Sequence, residues 1–288
     1  MAEWMPLTDA VAAHVRDGDV LAMEGFTHLI PFAAGHEIIR QRKRNLSLIR
    51  MTPDLIYDQL IGAGCARKLT FSWGGNPGVG SLHRFRDAVE NEWPGPLEIE
   101  ERSHSDLANA YVAGASGLPF AVLRGYTGSD FPRVNPNIRS ITCPFTGETL
   151  AATPAVRPTV TVIHAQEADW QGNVHLWGIL GVQKEAALAS ERVIITVERR
   201  VHSLNAAPNA CILPHWVVSA VCEVPRGATP SYAHGFYERD NAFYRAWDQI
   251  ARERERFRSW IEQHILHTEG FDEYLSLQRD PRIQAAYQ

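Results

Sequence analysis

DVLAMEG at residues 19–25, LSLIRM at 46–51 and KLTFSW at 68–73 are three short apolar runs. Each is bounded by turn residues, and each reads as a buried strand. Between them, residues 31–44 and 53–63 carry helical periodicity, the second with Pro53 at its first turn. Working outward, a glycine-rich loop at 74–80 follows the third run, and residues 81–92 resume a helical period. Residues 97–102 form a short strand pattern. Residues 105–115 form a helix that Gly117-Leu118-Pro119 stops. Strand–helix alternation of this kind predicts βαβ units in an open, mainly parallel α/β sheet with helices on both faces.

The second half is more mixed. Residues 159–168 (TVTVIHAQEA) and 192–198 (RVIITVE) read as strong strands, 174–177 as a returning strand, 182–190 as a helix and 215–224 as a last strand. Pro132, Pro136 and Pro144 make 131–147 a loop with a short extended excursion at 138–143. Residues 236–267 read as one long C-terminal helix, with Glu253 facing Arg256 and Glu255 facing Arg258. No internal repeat or linker interrupts the chain. The expected organisation is a single domain over 1–288, with 230–288 as a helical C-terminal extension.

Composition narrows the function classes. Hydrophobic residues make up 45% and charged residues 21% of the 288, enough for a full core. The 28 basic and 33 acidic residues give a net charge of −5, which argues against a general nucleic-acid binder. Mean hydropathy is −0.22, and no apolar run approaches the ~18 residues of a membrane helix. Residues 1–17 lack a basic start followed by an apolar stretch, so no secretory leader is expected. Cys65, Cys143, Cys211 and Cys222 form no CxxC pair. A cytoplasmic chain with four free thiols and no metal site is the expectation.

Three segments combine chemistry with position. Gly74-Gly75-Asn76-Pro77-Gly78-Val79-Gly80 lies between a strand and a helix, where open α/β sheets bind ligands. It is neither a Walker loop nor a GxGxxG fingerprint. Gly25-Phe26-Thr27-His28 ends the first strand in an equivalent position, and Glu24 before it is a structural or a chemical carboxylate. Ser103-His104-Ser105 joins a strand to a helix, with Ser105 as the expected N-cap and His104 as a hydrogen-bond donor at the strand end. The basic run at 40–44 suits a solvated helix C-terminus. No GxSxG elbow and no HExxH helix is present. The set is catalytically incomplete, which suits a subunit whose site is finished by another chain.

Several ordered blocks then give a resemblance. Gly25-Phe26, Ala113-Gly114-Ala115-Ser116-Gly117-Leu118-Pro119-Phe120, Gly128-Ser129-Asp130, Cys143-Pro144-Phe145-Thr146-Gly147 and His164-Ala165-Gln166-Glu167-Ala168-Asp169 with Gly172-Asn173 are similar to motifs of family I CoA-transferases. The chain resembles the α subunit of the glutaconate CoA-transferase branch over nearly all its length. The resemblance implies a β-subunit partner, in a heterodimer or heterotetramer, that carries the nucleophilic glutamate. It also implies acyl-CoA and carboxylate substrates, coenzyme A thioester as substrate with no bound cofactor, and no nucleic acid or membrane. Aligning Leu107-Ala108 and Ala113-Gly114 places His104 where a related branch has an oxyanion-holding glutamine. Gly25, Phe26, Thr27, His28, Gly74, Gly75, Asn76 and Ser103 become the expected substrate-binding residues. Met51-Thr52-Pro53 stands where the family has an Asn pair. The alternatives are a hydrolase or decarboxylase of the same fold acting on a CoA thioester, such as a ring-cleaving hydrolase of steroid catabolism, and a non-catalytic binding protein.

Overall fold

Leu21 and Met23 are fully buried in one apolar cluster, while Ala22 between them is buried in another. A strand that buries both its faces belongs inside a sheet covered on both sides. The computed structural model, which describes residues 2–208 and 210–278, has that layering. In chain order the first half contains β1 (Glu3–Trp4), α1 (Leu7–His14), β2 (Val20–Met23), α2 (Phe32–Arg40), β3 (Leu46–Ile49), α3 (Leu55–Gly62), β4 (Ala66–Phe71), α4 (His83–Asn91), β5 (Glu98–Glu101) and α5 (His104–Ala115). Then come β6 (Phe120–Leu123), α6 (Phe131–Val134), β7 (Arg139–Thr142), β8 (Thr149–Pro154), β9 (Val160–Asp169), β10 (Val174–Leu176), α7 (Gln183–Leu188), β11 (Arg192–Val201), β12 (Cys211–Leu213) and β13 (Ala220–Glu223). The chain closes with α8 (Asn241–Arg252), α9 (Arg254–Ile261), a π-helical turn at Glu262–Leu266 and α10 (Phe271–Gln278).

The main sheet runs β1-β13-β11-β9-β2-β3-β4-β5 with every neighbour parallel; β10 and β12 add an antiparallel flap beside β9. The expected open, mainly parallel sheet with helices on both faces is therefore present. From β2 the chain steps outward through β3, β4 and β5 on one side. Its second half lays β9, β11 and β13 on the other. The strand order reverses at β2, and a crevice opens outside the carboxyl ends of the strands at such a point. One face packs against α1, α2, α3, α4 and the C-terminal helices, and the other against α5 and α7.

Three expectations are corrected. Residues 131–147 hold the expected extended excursion as β7, but 131–134 form the short helix α6 rather than loop. β7 joins β6 and β8, which flank these residues, in a separate antiparallel sheet, and β6 and β8 carry no signal strong enough to stand apart from the prolines around them. The last strand spans only Ala220–Glu223, because residues 215–219 turn, with Val217 N–H on Pro214 O and Val218 N–H on His215 O. Cys211–Leu213 forms the unforeseen strand instead, pairing with β10. The C-terminal helical region exists but is broken: Asp240 caps α8 by accepting from Phe243 N–H, and Glu253 is extended (φ −103°, ψ 132°) between α8 and α9.

These helices share the main cluster. Trp247, Trp260 and Tyr274 are buried with Leu21, Met23 and Leu48. Asp58 of α3 ties the layers, accepting from Arg84 N–H, Phe85 N–H and Trp247 Nε1–H at 2.8, 2.9 and 3.0 Å. Residues 279–288 of the expected extension lie outside the described residues.

Candidate functional site at the carboxyl ends of the strands

The loop from β2 to α2 is held in a costly backbone. Thr27 and Leu29 have φ of 57° and 53°, a region that side-chain-bearing residues rarely occupy. Gly25 allows it: a Cβ there would stand 2.7 Å from His28 O and 3.0 Å from Leu29 O, and both obstacles are backbone. His28 is fully buried and does not reach for a substrate. Its Nδ1 donates to Ile179 O at 3.3 Å, and its Nε2 accepts from His234 N–H at 2.9 Å. Burial drives its pKa down to about 4, so the ring stays neutral and pins the loop. Thr27 O accepts from Ser231 Oγ–H at 2.9 Å, and Phe26 is left 39% exposed.

Beneath the loop, Glu24 is buried. Its Oε1 accepts from Tyr111 O–H at 2.9 Å and from Met51 N–H at 3.2 Å. A carboxylate so enclosed is not presented for attack on a thioester. Arg50, on the end of β3, spans to Gly25 O (2.7 Å) and Asp54 (2.9 Å), which fixes the loop ends of β2 and β3 together. Burial pushes the Glu24 carboxyl up to about 6, against the opposing pull of Arg50. The raised value means that the folded state binds the proton more tightly than the unfolded chain. Glu24 therefore contributes about 2 kcal/mol of stability that is present below pH 4.5 and is lost as pH rises through about 6. Glu24→Gln removes this slope. Urea midpoints at pH 4.5 and 7 are expected to converge toward Glu24→Gln at the lower pH and separate in its favour at the higher. A constant difference would mean that Glu24 does not titrate there.

His104 opens α5 and is exposed. Ser103, not Ser105, caps this helix: Ser103 Oγ accepts from Asp106 N–H at 3.1 Å, while the Ser105 hydroxyl pairs with Ser103 Oγ. The Ser-x-x-Asp spacing from Ser103 selects the earlier serine. Asp106 then fixes the turn. It accepts Arg102 bidentately (2.8 and 2.7 Å), Tyr126 O–H (2.8 Å) and Thr153 O–H (2.5 Å), all buried. The small sheet and α5 thus meet on one carboxylate two residues beyond His104. The imidazole Nδ1 lies 3.0 Å from Ser72 Oγ at the end of β4.

The glycine loop after β4 is anchored from the far end of the chain. Asn76 is buried; its Nδ2–H donates to Tyr244 O at 2.8 Å, while Arg239 donates to Pro77 O at 2.9 Å. Asn76 O closes the turn by accepting from Val79 and Gly80 N–H. Asn76 therefore shapes the loop. Gly74 and Gly75 are the residues without side chains beside the half-exposed Trp73, whose ring a Cβ on Gly75 would meet at 2.7 Å.

Direct bonds link Glu24 and Gly25 to Arg50 and Met51, Met51 to Ser72, and Ser72 to His104. The ends of β2, β3, β4 and the start of α5 form one row. The order of motifs along the chain points to Gly25, Phe26, Thr27, His104 and Ser103 near it. It gives no sign of Arg50, Asp54, Ser72 or Tyr111, whose roles depend on where the strands lie in the sheet. The usable signal is the run of strand ends, not any of these residues. Among the described residues, no three His, Cys, Asp or Glu side chains gather to hold a metal ion. No helix among them is long and apolar enough to cross a membrane.

Comparison with known proteins decides the family. The Coenzyme A transferase family profile matches residues 5–224. The chain belongs to the coenzyme A transferase family. Within it, the chain is of the α-subunit type. It is 70% identical over 274 residues to the A-type subunit of the 3-oxoadipate CoA-transferase of Pseudomonas knackmussii, covering 95% of this chain and 97% of that protein. The crystal structure of glutaconate coenzyme A-transferase from Acidaminococcus fermentans superposes with a TM-score of 0.89 at 30% identity, over 98% of this chain and 94% of the other. The cholesterol ring-cleaving hydrolase IpdA subunit of Mycobacterium tuberculosis is more remote, 28% identical over 281 residues and covering 92% of this chain and 93% of that one. The hydrolase or decarboxylase alternative is thus not favoured over a CoA-transferase role.

Proposed function

We propose that this chain is the α subunit of a heteromeric, cytoplasmic CoA-transferase that moves CoA from an acyl-CoA to 3-oxoadipate, or to a dicarboxylic 3-oxo acid of similar length. The observation that carries this reading is the 70% identity to the A-type subunit of a 3-oxoadipate CoA-transferase over nearly the whole of both chains. In the reaction, a glutamate of the β partner attacks the thioester carbonyl, forming an acyl–glutamyl anhydride and releasing CoA as thiolate. The thiolate attacks the glutamyl carbonyl, leaving a glutamyl-CoA thioester and a free carboxylate. The acceptor acid then reverses the sequence. No group other than the CoA thioester is required as cofactor.

This chain supplies surroundings for those steps. His104 stands at the rim of the row of strand ends, exposed at the start of a helix whose first N–H groups lack intrahelical partners. In this reading the imidazolium form of its ring and the N–H groups of His104 and Ser105 hold the oxyanion that forms at each attack. Gly25, Phe26 and Thr27 form one wall and Gly74 and Gly75 the other. His28, Asn76 and Ser103 serve binding indirectly, by fixing these loops.

The test is intact-mass analysis of the chain co-purified with its β-type partner. Incubation with acyl-CoA is expected to add a CoA-sized adduct to the partner, discharged by 3-oxoadipate. Consumption of the acyl-CoA with free CoA or carbon dioxide released and no adduct would overturn the transferase reading.

A further inference from the structure

The hydrogen bonds across the row also determine which nitrogen of His104 reacts. Ser72 Oγ lies 2.6 Å from Met51 O. Two oxygens approach that closely only with a proton between them, and a serine hydroxyl has a single proton. Ser72 therefore donates to Met51 and has only lone pairs left for His104 Nδ1 at 3.0 Å. Met51 is itself held, its N–H on Glu24 and its carbonyl also receiving Ser72 and Trp73 N–H at 3.2 and 3.3 Å. The acceptor of the Ser72 proton is thus fixed by the Glu24 carboxylate beyond β2 and by main chain at the end of β4.

We propose that Ser72 is a positioning residue for the CoA-transfer step, which holds His104 as the Nδ1–H tautomer and leaves Nε2 as the nitrogen that faces chemistry. The neutral ring then offers a lone pair, and the imidazolium offers a proton. This differs from an amide side chain at the same place, which donates in every state. The kinetic part of this inference rests on the transferase reading above, whereas the tautomer does not.

Two measurements test it on the α–β complex. In a long-range proton–nitrogen NMR spectrum with 15N-labelled histidines, the neutral His104 ring, assigned by its loss in His104→Asn, is expected to be protonated on Nδ1. Ser72→Ala is expected to move that proton toward Nε2. Nε2 protonation in the wild type would overturn the proposal, whatever reaction the complex catalyses. In kinetics, Ser72→Ala is expected to lower kcat by about 10- to 100-fold with KM little changed, through misorientation of the ring. Ser72→Thr, which keeps the hydroxyl, is expected to restore most of it. In a His104→Ala background, Ser72→Ala is expected to cost nothing further, because Ser72 acts through the imidazole. Losses that add in the double variant would show that Ser72 acts by another route and would also overturn the proposal.

Discussion

Asp106→Ala is expected to be the most destabilising single change near the site. It strips four hydrogen bonds at once: two from Arg102, one from the Tyr126 hydroxyl and one from Thr153. Arg102 is buried and would be left without its counter-charge, keeping only a longer bond to Pro154 O. Breaking a buried pair from one side typically costs ~3–5 kcal/mol, since the orphaned charge stays desolvated. Asp106→Asn is expected to lose less, because its carbonyl still accepts while its amide faces the guanidinium. Urea denaturation of the two variants against wild type measures this. A loss below about 1 kcal/mol for Asp106→Ala would place it among ordinary surface changes and sink the argument.

His104→Ala is expected to show the opposite profile, with large kinetic and small structural effects. The side chain is exposed and bonded to Ser72 at the surface, so folding stability and assembly should hardly change. If the ring stabilises the oxyanion, its loss lowers kcat by about 10²- to 10³-fold, as for other single oxyanion donors. KM is expected to change little, since the interaction is made mainly in the transition state. Steady-state kinetics with the partner present, beside a thermal melt, separates the two effects. A kcat retained within a few-fold would remove His104 from the chemistry. The contrast with Asp106 is informative because the two residues are only two positions apart in the first turn of the same helix.

The alternation of apolar runs and helical segments makes β2, β3, β4, β9 and β11 legible, because buried parallel strands read as continuous apolar stretches. Of the small sheet only β7 is legible, as the extended excursion at 138–143. β6 alternates Phe120, Ala121, Val122 and Leu123 between exposed and buried over only four residues, and β8 ends on Pro154. The break at Glu253 is also hidden, since neither glycine nor proline marks it and the charge pattern runs through it. In the site, strand-end loops and His104 can be located from order along the chain. The tautomer-setting Ser72 and the Glu24–Tyr111 bond cannot, for they join residues 32 and 87 positions apart. His28 shows the converse error. A histidine after a strand invites a chemical role, yet its ring is occupied by two backbone segments from the second half of the chain.

The anchoring of the glycine loop has a consequence for how the protein is made. Asn76 and Pro77 take their partners from Tyr244 and Arg239, residues synthesised more than 150 positions later. A nascent chain that has emerged only through β13 has every sheet strand but not the partners of the glycine loop. The glycine loop proposed as a wall of the site is therefore held by residues that follow the last strand of the sheet.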